Sequence, residues 1–365
     1  MINFGAYYTA PEYVRTVRRM LIKNGVPDNA VILDNACGYG GFLGLRDRAI
    51  IGCDIDEKAA ARARARHPHA SVFCADSLRN VSREQFNIAA DAPLVVVGNP
   101  PFNDKTSQIR RGVKTTETRT DTDIATRDTG ISFMRAFDKL RADIVCVLHP
   151  LSYLIKRSNF SLLGGFAKNY ALRDAKILSS ARFYGNSQNI SFPVAAALYA
   201  RDDAGMRYDD IRRFRFAAGR ADFALDDFQY LGDFARKYPR RREKSDLDGI
   251  AFYPMRDINA LRRNRTFMFD KTGDGVCIAR AQLRYYVYAD VFKQYARHLP
   301  YYFGNHDVMI NASLFRRREK HFITDALRRH PRLREYVAVP VPSGEDETAQ
   351  KINEYFYRLL GEHYL

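Results

Sequence analysis

Short apolar runs separated by polar, charge-rich stretches organise the first 200 positions. From residue 12 the apolar residues Tyr13, Val14, Val17, Met20 and Leu21 recur at helical spacing, and Gly25-Val26-Pro27 stops the pattern. Four apolar runs follow, AVILDNA at 30–36, AIIGCDI at 49–55, ASVFCAD at 70–76 and PLVVVGN at 93–99. Between the second and third lies EKAAARARARH, an alanine- and arginine-rich stretch of high helix propensity. A helix is predicted over 131–143 and strands over 144–150 and 192–201. Runs this short and this apolar read as strands covered on both faces, and their alternation with helices predicts an α/β fold with a parallel sheet. From Asn103 to Gly130 the chain is polar, threonine-rich and without apolar period, which predicts a long mobile loop over 103–130. After residue 202 the strand-helix rhythm stops. A second domain is expected over 202–365, behind a first domain over 1–201, with a closing helix from about Ala349 to Leu360.

Composition narrows the classes. The 365 residues are 46% hydrophobic, enough for a core, and no apolar run reaches the length of a membrane span. The opening MINFGAYYTAPEYV is too polar for a secretory leader, so the expected location is cytoplasmic. Cys37, Cys53, Cys74, Cys146 and Cys277 are widely spaced, with no C-x-x-C pair and no matching histidine cluster; buried thiols are expected, and no metal. The net charge of +16 makes a polyanion the first partner to consider. After residue 200 there are 31 Lys+Arg against 24 Asp+Glu, so both domains are basic.

Candidate chemistry lies where the strands end. The run VVVGNPPF closes a buried-looking strand with Gly98, Asn99, Pro100, Pro101 and Phe102. Two prolines lack N–H donors and have a fixed φ, so the corner is rigid and rich in carbonyl acceptors. Asn99 adds a side-chain oxygen, and Phe102 a flat face. Such a corner suits a planar amino group. The first strand ends in Asp34-Asn35-Ala36-Cys37-Gly38-Tyr39-Gly40-Gly41-Phe42, whose glycines permit close approach of a nucleoside ligand. Its spacing is not that of a dinucleotide site, and it has no P-loop lysine. The second strand ends at Asp54, at a distance suited to ribose hydroxyls, and the third at Asp76-Ser77. Any one of these aspartates alone reads equally well as a cap or turn residue. Four polar strand ends in succession are harder to assign to capping.

With these residues in place, the chain resembles the S-adenosylmethionine-dependent DNA adenine-N6 methyltransferases of the amino-methyltransferase group, in a gamma-like motif order, over roughly its first 200 residues. YTAPEYV, with Tyr8 and Thr9, resembles the family's threonine-proline motif, and DNACGYGGF its cofactor loop. The resemblance implies a Rossmann-like S-adenosylmethionine-dependent methyltransferase domain with a basic C-terminal DNA-recognition domain. It implies S-adenosylmethionine contacts at Tyr8, Thr9, Asp34, Ala36, Cys37, Gly38, Gly40, Asp54, Ile55, Asp76, Ser77, Asn99 and Phe133, and a catalytic tetrapeptide Asn99, Pro100, Pro101, Phe102. Phe183 and Tyr184 stand where a second target-base contact is expected. Asn35, Tyr39 and Ala10 depart from the family pattern, in the cofactor loop and the first motif.

The implied reaction is methyl transfer from S-adenosylmethionine to N6 of an adenine flipped out of double-stranded DNA, with Phe102 stacked on the base. A cognate restriction endonuclease is a further partner of such enzymes; monomer and dimer both remain open. In the loop, Lys105, Arg110 and Arg111 are candidates for phosphate contact, and in the second domain Arg240, Arg241, Arg242, Arg316, Arg317 and Arg318. Two alternatives stay open. RNA methyltransferases acting on guanine N2 or adenine N6, and enzymes that methylate a glutamine amide, use similar tetrapeptides. A non-catalytic DNA-binding specificity protein on the same fold is the alternative of another class.

Overall fold

Helix α1 (Pro11–Lys23) starts where Pro11 presets the helical φ and turns its apolar stripe, Tyr13, Val17, Met20 and Leu21, onto the sheet that follows. The structure is a computed structural model that describes residues 9–44, 48–102, 120–183, 191–240, 247, 249–262, 265–269, 275–337 and 346–365. The chain divides into two units, Met1–Leu225 and Asp226–Leu365.

The first unit carries a nine-stranded sheet: β1 (Val31–Asp34), β2 (Ile50–Asp54), β3 (Ser71–Cys74), β4 (Leu94–Gly98), β5 (Ile144–Pro150), β6 (Tyr170–Ser179), β7 (Pro193–Arg201), β8 (Phe216–Ala218) and β9 (Ala221–Phe223). Their order is β3-β2-β1-β4-β5-β7-β6-β8-β9. β1 pairs in parallel with β2 on one side, Ile32 opposite Ile50, and with β4 on the other, Ile32 opposite Val95. The chain therefore reverses its direction of winding at β1, and a crevice opens beside the carboxyl ends of β1 and β4, where sheets of this kind take ligands. β7 enters antiparallel between β5 and β6. Every residue of β4 is buried, as its unbroken Leu-Val-Val-Val requires of a strand with both faces covered. This is a doubly wound, Rossmann-like α/β domain, the class the apolar runs predicted.

Helix α2 (Glu57–Arg66) fills the EKAAARARARH stretch and turns Ala59, Ala60 and Ala63 inward. Helix α3 (Thr129–Lys139) begins two residues before the predicted 131, because the Asp128 carboxylate caps it, accepting from the N–H groups of Gly130 and Ile131. The expected loop over 103–130 is shorter than its composition suggested. Residues 103–119 lie outside the described residues, but Asp121 accepts from the N–H groups of Asn80 and Val81 at 2.8 and 3.0 Å, and Ile124 is buried. Strand β6 escaped prediction because Arg173, Asp174 and Lys176 interrupt its apolar run. Since β8 and β9 extend the same sheet, the first unit runs to Leu225 and not to the expected 201.

The second unit packs α4 (Leu283–Tyr295) among α5 (Ala312–Arg329) and α6 (Asp346–Leu360), with a small antiparallel sheet formed by Ile250–Phe252, Phe267–Phe269 and Val276–Cys277. Tyr288, Phe292, Phe315, Phe322, Tyr355 and Phe356 form one aromatic core. On α4 the fully buried Asp290 accepts from Thr266 and from Arg329 and is 2.9 Å from His330 Nε2. Burial works to raise the pKa of Asp290, but the His330 and Arg329 contacts outweigh it and hold the carboxyl below its ordinary value.

Candidate active site

The ends of β1, β2 and β3 are laced together by backbone bonds. Asp54 accepts from Gly38 N–H through Oδ2 at 2.7 Å and from Asp56 N–H through Oδ1 at 2.9 Å, so its carboxylate fastens the glycine turn to β2. Burial raises its pKa, while those two N–H groups oppose the shift. Each oxygen has a further lone pair for a ligand hydroxyl. Cys37 N–H donates to the Cys53 carbonyl and Ala75 N–H to the Asp54 carbonyl, which brings the three strand ends into line. Gly40 holds φ +78°, and a Cβ there would stand 2.7 Å from the His67 ring. Tyr39 lies under the Arg62 guanidinium at 4.9 Å. Ile55 is exposed beside this turn.

Asp34 faces β4 across the crevice floor. It is 1% exposed, and a Cβ added to Gly98 would lie 2.8 Å from its Oδ1; Gly98 also holds φ +151°. Only glycine satisfies both demands, which explains the residue before Asn99. Burial pushes the Asp34 carboxyl up to about 8, against the lowering effect of the Ala36 N–H it accepts, with the Asp54 charge adding to the rise. Among the described residues no cationic side chain pairs with it. Next to it, the buried amide nitrogen of Asn35 has no hydrogen-bond acceptor among the described residues. A polar ligand at this point would complete the hydrogen bonding of these buried groups.

Asn99, Pro100, Pro101 and Phe102 continue from β4 at the edge of this crevice. Pro100 is buried, and Asn99, Pro101 and Phe102 are half-buried. The Phe102 ring meets Phe192 edge-on at 6.2 Å. Opposite, the N-terminus of α3 approaches so closely that a Cβ on Gly130 would stand 3.2 Å from Phe102 Cβ and collide with the Tyr153 hydroxyl.

The other predicted residues divide sharply. Ala36, Cys37 and Gly38 lie on the turn over β2, with Cys37 buried. Asp76 accepts from Leu78 N–H at 3.0 Å and so closes a turn, while Ser77 is buried against the Cys53 thiol. Phe133 is buried within α3, tilted against Phe137. Phe183, expected to touch the target base, is 4% exposed and packs edge-on against Tyr13 in the core, so it presents no face to a base. Thr9 precedes α1 and is half-buried. Arg240, Arg316 and Arg317 are exposed, but Arg318 is half-buried and reaches Glu354 at 3.4 Å, which ties α5 to α6. Of the aromatics near the arginines of the second unit, Tyr286, Tyr288, Phe315 and Phe322 are core residues and not stacking platforms, while Tyr238 is exposed. Tyr8, Lys105, Arg110, Arg111, Tyr184, Arg241 and Arg242 lie outside the described residues.

Sequence reading missed the support behind the corner. His149, at the end of β5, is 1% exposed; its Nδ1 is 3.0 Å from the Pro150 carbonyl and its Nε2 is 2.7 Å from the Tyr199 hydroxyl. The carbonyl requires a proton on Nδ1, which leaves Nε2 to accept from Tyr199. Burial pushes His149 down to about 4, so it is neutral. Its ring stacks on Tyr153, whose hydroxyl donates to Asp128. The polar His149 at the end of an apolar strand was the available signal.

No family model and no curated protein matches this chain. Among solved structures it is similar to a modification subunit from Vibrio vulnificus YJ016, at 18% identity over 61% of this chain and 50% of that one, with a TM-score of 0.42. It is also similar to the type I restriction-modification system methyltransferase subunit from Streptococcus thermophilus, at 12% identity over 61% and 48% of the two chains, TM-score 0.39. A third is the magnesium protoporphyrin IX methyltransferase from Synechocystis PCC 6803, at 12% identity over 53% and 79%, TM-score 0.33. The match spans about half the length of the first two. Likenesses this distant assign no chemistry to the residues at the strand ends. Among the described residues no helix is long and apolar enough to cross a membrane, and no group of three or more side chains is arranged to hold a metal ion.

Proposed function

We propose that the chain is an S-adenosylmethionine-dependent methyltransferase acting on N6 of a flipped-out adenine in double-stranded DNA. The observation that carries the reading is the Asn-Pro-Pro-Phe corner at the carboxyl end of β4, one residue beyond the glycine that packs on Asp34. The residues fit the cofactor. The glycine turn of 38–41 admits a nucleoside, Asp54 offers its remaining lone pairs to ribose hydroxyls, and the buried Asp34 and Asn35 suit the charged methionine end. When bound, S-adenosylmethionine supplies an electrophilic methyl on a sulfonium.

The chain's own residues then do the rest. The Asn99 side-chain oxygen and the Pro100 carbonyl accept the two hydrogens of the target amino group. Adenine N6 is a poor nucleophile because its lone pair is delocalised into the ring. Acceptors held rigidly by two prolines favour the rehybridised nitrogen over the planar one, and so bind the transition state better than the ground state. Phe102 stacks on the extruded base, and orientation of the two reactants supplies much of the acceleration. The basic charge of the chain, +16, and the exposed Arg240, Arg316 and Arg317 suit a nucleic-acid partner.

The test incubates the chain with methyl-labelled S-adenosylmethionine and unmethylated double-stranded DNA, with structured RNA in parallel, and identifies the methylated nucleoside by mass. N6-methyladenine in DNA alone is the expected result. Label confined to RNA overturns the substrate; cofactor binding without label in either overturns catalysis and favours a binding protein.

A further inference from the structure

We propose that Tyr153 is a positioning residue for the Asn-Pro-Pro-Phe corner, setting where Phe102 stands through Asp128 and Gly130. The inference deepens the reading of that corner as the target-base site and rests on it for its catalytic consequence.

Three contacts converge. The Tyr153 hydroxyl donates to Asp128 Oδ1, the same oxygen that caps α3 by accepting from Gly130 N–H at 3.0 Å and Ile131 N–H at 3.3 Å. The first turn of α3 is thus held from outside its own helix. Gly130, in that turn, lies against Phe102 on one side and the Tyr153 hydroxyl on the other, with no room for a Cβ between them. Tyr153 itself has little freedom. It is 2% exposed, and its ring lies within 10° of parallel to His149 at 5.4 Å. His149 is pinned in turn by Tyr199 on β7. A rigid path therefore runs from the sheet through His149 and Tyr153 to the helix turn on which Phe102 rests. Side chains that stack on a substrate need such backing, since a misplacement of about 1 Å costs up to about a hundredfold in rate. No part of this path touches a reacting atom, so its role is placement.

The chain contains no tryptophan, so Phe102→Trp introduces a single reporter at the corner. Its acrylamide quenching and emission anisotropy are compared in F102W and in F102W/Y153F, well below the melting temperature. Loss of the hydroxyl is expected to raise quenching and lower anisotropy, while S-adenosylmethionine affinity stays unchanged. In the Phe102 background, Y153F is expected to lower kcat about tenfold with an unchanged cofactor KM. A lowered melting temperature with unchanged indole fluorescence and unchanged kcat would reduce Tyr153 to a structural role and overturn the proposal. If the parent chain methylates neither DNA nor RNA, the proposed function fails, but the fluorescence comparison still decides whether Tyr153 holds the corner. Should F102W/Y153F not fold by circular dichroism, F102W/G130A disturbs the same seat from the Gly130 side. Unaltered indole fluorescence there also rules the path out.

Discussion

At the residue scale the crevice holds two side chains with different demands, Asp34 on its floor and Asn99 at its edge. Asp34 is buried as an acid whose carboxyl is pushed up to about 8, far above its value of 3.8 in an unfolded chain. The folded state therefore binds a proton that the unfolded state releases, and stability falls as pH rises from about 4 to about 8. Asp34→Asn is expected to flatten that decline: the ligand-free variant should lose less melting temperature between pH 5 and pH 8 than the parent. A cationic ligand reverses the preference, so cofactor binding near neutral pH is expected to release protons, measurable by calorimetry in buffers of different ionisation enthalpy. Asn99 makes the other demand: under the proposed reaction its side-chain oxygen accepts a hydrogen of the target amino group. Asn99→Ala is expected to cut methyl transfer at least a hundredfold, the scale of losing one transition-state hydrogen bond, with cofactor affinity within about twofold. Equilibrium binding and single-turnover rates on the same preparation separate the two effects.

At the element scale, the connections between strands are as organised as the strands. Arg83 illustrates this. Its guanidinium donates to the carbonyls of Ala89, Ala90, Ala92, Leu140 and Arg141, tying the segment before β4 to the end of α3. Arg83→Ala leaves these acceptors to solvent or unpaired and is expected to cost about 2 kcal/mol, with lysine recovering less than half because its compact ammonium does not span the same carbonyls. Urea unfolding midpoints of the three forms check this. Asp121 plays a similar part, receiving two N–H groups from 80–81 and Lys139 from α3. Neither tie follows from composition. Both residues lie in polar stretches whose partners are distant in sequence, up to 58 positions away for Arg83.

At the scale of the whole molecule, charge and core separate in the second unit. On α5 the aromatic positions face inward and Arg316, Arg317 and Lys320 remain exposed, while Arg318 is spent on Glu354. Replacing Arg316 and Arg317 together by alanine is expected to weaken DNA binding across sequences and to reduce the slope of log affinity against log salt by up to about 2. Arg318→Ala should instead lower the melting temperature with less effect on that slope. Fluorescence anisotropy titrations at several salt concentrations, paired with thermal melts, read both. Within the triple-arginine run Arg318 reaches Glu354 while Arg316 and Arg317 stay exposed, a division set by their spacing along the helix and the position of Glu354.

Much of the first unit was determined by local pattern. Apolar runs of strand length, a proline at the first helical position, and polar residues set just after each strand are short-range features, so the α/β class, the strand ends and the corner of 98–102 were readable from the chain alone. What the tertiary structure decided is everything that depends on a distant neighbour. Pairing with β7 on one side and β8 on the other makes a strand of the charged stretch 170–179, and the continuation of the sheet through β9 carries the first unit to Leu225. Burial assigns Phe183 and the interleaved aromatics to cores, because a large apolar ring gains more from leaving water than from waiting exposed for a ligand. The seat of Phe102 is of the same kind: Tyr153, Asp128 and Gly130 meet there only because the segment that follows β5 comes against the start of α3, and no local pattern in the sequence encodes that meeting.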